Sequence, residues 1–129
     1  MDNSSLPICI IEDNKPIRRL FVTLLKKSGY ETVDFATGNE GLDWIKSNSA
    51  QCIIIDILLP DLNGTEVLKV IRDLPSGQKV PIIAVTGFAH AYDRDKFIEL
   101  GFDSYIPKPV NTITFVKDVE DVIAVKSED

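Results

Sequence analysis

Residues 51–56 read Gln51-Cys52-Ile53-Ile54-Ile55-Asp56. The run is rich in isoleucine and lacks polar alternation, which suits a central parallel strand covered on both faces. An aspartate stands where it ends. Working outward, the same grammar recurs. Leu6 to Ile11 is a short apolar strand that runs into Glu12-Asp13. Pro81 opens a strand from Ile82 to Val85 that runs into Thr86, and a short strand from Ser104 to Ile106 leads to Pro107-Lys108-Pro109. Polar groups at the ends of four apolar strands converge if those strands lie parallel in one sheet.

Helical periods fill the intervals. Asn14-Lys15-Pro16 starts a helix, with Asn14 as the cap and Pro16 tolerated in the first turn. Ile17, Leu20, Phe21, Leu24 and Leu25 follow at helical spacing, and Ser28-Gly29 closes it. Glu31 to Ala36 alternates like a half-exposed edge strand. A second helix is expected from about Asn39 to Ser47, with Leu42 and Ile45 inward. A third, after the loop Leu58 to Gly64, carries Val67, Leu68 and Ile71 and ends at Pro75-Ser76-Gly77. A fourth is expected from about Tyr92 to Leu100, stopping at Gly101. Thr112 to Val125 is β-branched, but Val116, Val119 and Ile123 keep a helical period over more than a strand's length, so a fifth helix is expected.

Five strands alternating with five helices imply right-handed crossovers and a parallel sheet with helices on both faces. The expected fold is α/β, doubly wound and flavodoxin-like, with strand order 2-1-3-4-5. In that order the strands ending at Asp13, Asp56 and Thr86 are the central three, and the strand before Lys108 lies beside them. Open sheets of this kind bind ligands at the carboxyl edge. A single domain over residues 1–129 is expected, with its core from about 6 to 125.

Bulk properties narrow the function. The 129 residues are 44% hydrophobic and 26% charged, ordinary for a globular domain large enough to bury a core. A net charge of -6 and a pI near 4.7 argue against nucleic-acid binding, which needs a basic patch. No apolar stretch approaches the ~20 residues that span a bilayer, and Met1 to Ser5 lacks the regions of a signal peptide. A cytoplasmic protein is expected. Cys9 and Cys52 each lie four residues before an aspartate, Asp13 and Asp56, so adjacent strands would bring the thiols near one level. They read as buried small hydrophobes rather than a disulfide or metal site.

Taken singly, the strand-end residues have plain explanations. Asp56 serves as a turn former or cap, and Glu12-Asp13 as a complement to a helix dipole. Thr86 would be a turn hydroxyl and Lys108 a solvated surface lysine. Their coincidence at four strand ends favours one shared site. Three carboxylates in one place repel unless a cation lies among them, and oxygen-only ligands suit a hard ion such as Mg²⁺. Asp56 would be a nucleophile forming an acyl phosphate. Lys108 would neutralise phosphoryl charge, and Thr86 would donate to a phosphoryl oxygen.

With Ile11-Glu12-Asp13, Asp56 followed by Pro60 and Gly64, Thr86-Gly87 and Lys108-Pro109, the chain resembles a response-regulator receiver domain of two-component signalling. The resemblance is to the single-domain, chemotaxis-regulator-like kind and spans about Leu6 to Ile123. It implies that Asp56 accepts a phosphoryl group from the phosphohistidine of a sensor kinase or histidine phosphotransfer protein. It implies that Asp13, Asp56 and the backbone carbonyl of Leu58 coordinate Mg²⁺, with Glu12 acting through water; Mn²⁺ could substitute. Thr86 and Lys108 would bind phosphoryl oxygens, and the bond to Pro109 would be cis.

Tyr105 matches the family's switch aromatic, turning inward behind Thr86 on phosphorylation. The surface of the fourth helix, fifth strand and fifth helix then changes, for a downstream protein or a fused output domain to read. The implied activity is that of a phosphoacceptor with weak self-phosphorylation and autodephosphorylation, not of an ordinary enzyme. Phe97, Leu100 and Phe102 are bulky where family members often carry alanine, so the fourth helix is expected to sit differently. Leu58 and Phe88 stand two residues after Asp56 and Thr86, positions that flank attacking water in the family, and both are apolar, which predicts a long-lived acyl phosphate. His90 reads as a surface residue. An aspartyl-phosphate hydrolase would carry a second Asp at position 58, and an FMN carrier would not place Glu12-Asp13 in its phosphate loop. A pseudo-receiver would not keep the complete acidic set with Lys108.

Overall fold

The structure is a computed structural model that describes residues 5–87 and 94–127. Its elements run β1 (Ile8–Ile11), α1 (Lys15–Lys27), β2 (Thr32–Phe35), α2 (Gly38–Ser47), β3 (Cys52–Asp56), α3 (Gly64–Asp73), a 3₁₀ turn (Pro75–Gly77), β4 (Ile82–Thr86), α4 (Arg94–Leu100), β5 (Ser104–Pro107) and α5 (Phe115–Ser127). The sheet is parallel throughout in the order β2-β1-β3-β4-β5. That is the expected doubly wound topology.

Local chemistry sets the element ends. The Asn14 side chain accepts from the Ile17 N–H at 3.0 Å, Pro16 occupies the first turn, and Lys26 and Lys27 complement the dipole at the last. Gly29, at φ 95°, supplies the left-handed residue that ends α1. α3 starts with a capping box in which Asn63 and Glu66 satisfy each other's backbone N–H groups. α2 begins at Gly38, capped by Thr37, and runs through Gly41. A Cβ at Gly41 would collide with the Ile11 side chain, so the glycine lets the helix approach β1 closely.

Strands β1, β3 and β4 are buried at every position, as strands covered on both faces must be. Strict alternation divides their side chains between two cores. Ile10, Ile54 and Val85 pack with Phe21 and Leu25 of α1 and Phe115 and Val119 of α5. Ile11, Ile53 and Ala84 face Leu42 of α2, Val67 and Ile71 of α3, and Phe97 of α4. Phe21 and Phe115 stack with centroids 4.7 Å apart, joining the first and last helices.

Two expectations change. The cysteines are not level: Cys9 pairs with Ile53 and Cys52 with Ile8, so the thiols point into opposite cores. Burial pushes both thiols far up in pKa, and they stay protonated. The last helix starts at Phe115 rather than Thr112, because Asn111 first makes a turn. Its Oδ1 accepts from the Ile113 N–H at 2.9 Å, and its carbonyl accepts from Phe115 at 3.0 Å. Near α4, Phe97 and Phe102 are buried edge to face at 5.9 Å while Leu100 stays exposed. Phe88, His90 and the expected start of the fourth helix at Tyr92 lie outside the described residues.

Candidate functional site

Register explains which acids meet. β1 and β3 run level with Ile11 opposite Ile55, so Glu12 follows level with Asp56, and Asp13 lies one residue beyond. One oxygen from each of Glu12, Asp13 and Asp56 lies within 4.8 Å of the others. Glu12 and Asp56 are buried, and Asp13 is exposed. Lys108 reaches in from the end of β5, with its ammonium 2.9 Å from Glu12 Oε1 and 3.2 Å from Asp56 Oδ2. Its backbone N–H donates to the Thr86 carbonyl at 2.8 Å, which fixes the β5 end against β4. The Lys108–Pro109 peptide bond is cis.

The remaining expected residues frame this cluster. Thr86 is buried as the last residue of β4. Asp56 Oδ1 accepts from the Leu58 N–H at 3.1 Å, and Leu58 is itself half exposed and bridged to Asn63. Tyr105, partly buried, packs its ring with its centroid 5.4 Å from that of Phe97.

Two contacts to Glu12 escaped the sequence reading. Arg18, one turn into α1, donates to the Glu12 carbonyl at 2.8 Å and pairs with Asp34 at 3.0 Å. The Asn14 N–H donates to Glu12 Oε2 at 3.1 Å. Arg18 stands in a run of helix charges, and only the fold reveals that it faces the strand end.

Electrostatics follow from one cation among three acids. Burial, then the closeness of Asp56, raises the Glu12 carboxyl to about 7, although Lys108 and Asn14 pull the other way. Burial opposes the Lys108 charge, but its close approach to the Glu12 carboxylate and the fields of Asp56 and Glu12 outweigh this and raise its pKa. Glu12 Oε1 is buried, and Lys108 sits beside it without hydrogen-bond alignment. An oxygen-only donor set with surplus negative charge and an under-satisfied buried oxygen fits a hard divalent cation, Mg²⁺ above all.

This has a consequence for stability. Glu12 titrates at about 7 in the folded chain against an ordinary 4.5. A carboxyl raised on folding contributes stability that is complete below 4.5 and lost as pH climbs toward 7. Linkage puts the loss at about 3 kcal/mol. Glu12→Gln mimics the neutral carboxyl at every pH. In chelator it should match the wild type near pH 4 and exceed it in urea-melt stability at pH 8. A difference that does not grow with pH would contradict this account.

The profile of the response regulator receiver domain family matches residues 8–120. The chain belongs to that family and is a receiver domain of two-component signalling. It is 35% identical over 113 residues to the polar-differentiation response regulators DivK of Brucella ovis and Brucella anthropi, covering 88% of this chain and 92% of each relative. Among solved structures, the receiver domain of a sensor histidine kinase from Pseudomonas aeruginosa superposes with a TM-score of 0.84 at 27% identity. It covers 93% of this chain and 98% of that one, and it holds a magnesium ion in its active-site cleft. A CheY-like receiver domain from Methanospirillum hungatei matches with a TM-score of 0.84 at 30% identity, covering 96% of this chain and 98% of that one. Among the described residues no helix is long and apolar enough to cross a membrane.

Proposed function

We propose that this receiver is a phosphorylation switch in which Asp56 takes a phosphoryl group from the phosphohistidine of a sensor kinase or a histidine phosphotransfer protein. The observation that carries the reading is the convergence of Glu12, Asp13, Asp56 and Lys108 at one strand edge. Asp13, Asp56 and the Leu58 carbonyl would hold Mg²⁺, with Glu12 acting through water, and Mn²⁺ would serve as well. When bound, the ion supplies positive charge that offsets the carboxylates and the incoming phosphoryl oxygens.

The chain's own groups do the rest. An Asp56 oxygen forms the new O–P bond as the P–N bond to histidine breaks, and that electron pair leaves with the imidazole. Lys108, already at Asp56, turns its ammonium to the phosphoryl oxygens, and Thr86 donates its hydroxyl to one of them. Tyr105 then turns inward behind Thr86, and the α4–β5–α5 surface changes with it. A cleft of about 430 Å³ along β5 and α5, lined by Ser104, Ile106, Val122 and Val125, gives that surface a concave feature for a partner protein or output domain. Attack of water on the phosphorus returns Asp56 to its free state. The chain thus acts as a stoichiometric signalling acceptor in the cytoplasm.

The test is incubation with acetyl phosphate and Mg²⁺, read by intact mass. The expected result is a gain of one phosphoryl group that depends on the metal. Absence of any gain, from acetyl phosphate and from a phosphorylated histidine donor alike, would overturn the reading. Because apolar residues, Leu58 and Phe88, occupy the positions that flank attacking water in the family, radiolabelled acyl phosphate should persist well beyond seconds in Mg²⁺. A half-life of seconds would refute that part.

A further inference from the structure

The loop after Asp56 must hold two things still, the phosphoacceptor and the Leu58 backbone. Most of its bracing is internal. Leu58 donates to Asp56, the Gly64 N–H donates to the Ile57 carbonyl at 2.7 Å, and Leu58 bridges Asn63. Asp61, exposed at the loop tip, reaches outside. One carboxylate oxygen accepts from the Gly38 N–H at 2.9 Å and the other from the Asn39 N–H at 2.8 Å. These are free N–H groups of the first turn of α2, where the helix dipole favours an anion. With each oxygen on its own N–H, the carboxylate cannot rotate without losing a bond. Leu62, the next residue, seats against Gly38, where an added Cβ would lie 3.1 Å from Leu62 Cδ1. The Asn39 N–H, foremost, holds the Asp61 carboxyl below its usual range.

We infer that Asp61 is a positioning residue, locking the loop that carries Leu58 to the start of α2 and so presetting the ion site before any ion arrives. The inference rests on the proposed Mg²⁺ site. It separates Asp61 from Thr37, whose hydroxyl caps the same helix by accepting from the Glu40 N–H and donating to the Glu40 carboxylate. If Asp61 only stabilised α2, loss of either cap would act alike.

The experiment compares wild type, Asp61→Ala, Asp61→Asn and Thr37→Ala. Mg²⁺ affinity is measured by calorimetry with magnesium chloride alone, and amide exchange of Leu58 and Gly64 is followed by NMR in chelator. Asp61→Ala should bind Mg²⁺ roughly tenfold more weakly and lose protection at both amides. Asp61→Asn, which keeps one accepting oxygen, should recover most of both. Thr37→Ala should lower stability while leaving affinity and loop protection near wild type. Equal Mg²⁺ affinity in wild type and Asp61→Ala would overturn the inference, and so would equal weakening by Thr37→Ala. If the wild type binds no Mg²⁺, the proposed site itself fails, and unchanged loop protection in Asp61→Ala would then refute the positioning role separately.

Discussion

Asp56→Asn is expected to gain no phosphoryl group under conditions that fully modify the wild type, and to be more stable than it in chelator. Asparagine is nearly isosteric, and its amide oxygen still accepts from the Leu58 N–H, so the loop keeps its geometry. An amide cannot form the acyl phosphate, and the expected loss is complete. The stability gain has a separate cause. Asp56 is one of the groups that raise the Glu12 carboxyl, and two buried carboxylates share the single Lys108 ammonium. Neutralising one leaves a simple Glu12–Lys108 pair, with a gain of about 1 kcal/mol at pH 8. The two readouts are intact mass after acetyl phosphate with Mg²⁺ and urea melts in chelator. Phosphoryl gain equal to wild type would put the acceptor elsewhere, and a destabilised variant would show that the acids are not in conflict.

Such conflict at a site is what a functional reading predicts. Local rules hold through β1, β3 and β4, where isoleucine runs bury both faces, and they fail where charge is gathered at the strand ends. That contrast was legible in the chain. Periodicity supplied the helices, and the strand-end residues supplied the site. Register was not legible. Counting four residues from Cys9 to Asp13 and from Cys52 to Asp56 suggested that the two thiols lie near one level. β3 runs through Asp56 while β1 stops at Ile11, so Glu12 is the residue beside Asp56. The alternation that sets this level also sends the two thiols to opposite cores. Arg18 and Asp61 stayed hidden for a related reason. Each acts on backbone groups of another element, in the case of Asp61 more than twenty positions away, and no local pattern marks a side chain for such a bond. The start of α5 was misread because Asn111 makes a turn of its own before the helix takes over.

Gly64→Ala should cost about 3 kcal/mol of folding stability and slow phosphorylation of whatever remains folded. Propensity alone argues the opposite. Gly64 opens α3 without a positive φ, and alanine in a helix is normally the better residue. Space decides the sign. A Cβ at Gly64 would lie 2.7 Å from the Asp56 carbonyl oxygen and 2.8 Å from Ile57 Cα, and both are backbone atoms that no rotamer change can move. The Gly64 N–H also donates to the Ile57 carbonyl, so pushing α3 away breaks that bond as well. The strain lands on the peptide that carries Asp56, which couples the stability loss to the chemistry. Gly87 is the control, since it follows Thr86 at the same sheet edge. A Cβ there meets nothing within 4 Å, and its φ is not positive. Gly87→Ala should therefore fall within about 0.5 kcal/mol of wild type in urea. Equal urea midpoints for Gly64→Ala and wild type would show that the loop yields, and that the phosphoacceptor is held less rigidly than its backbone contacts require.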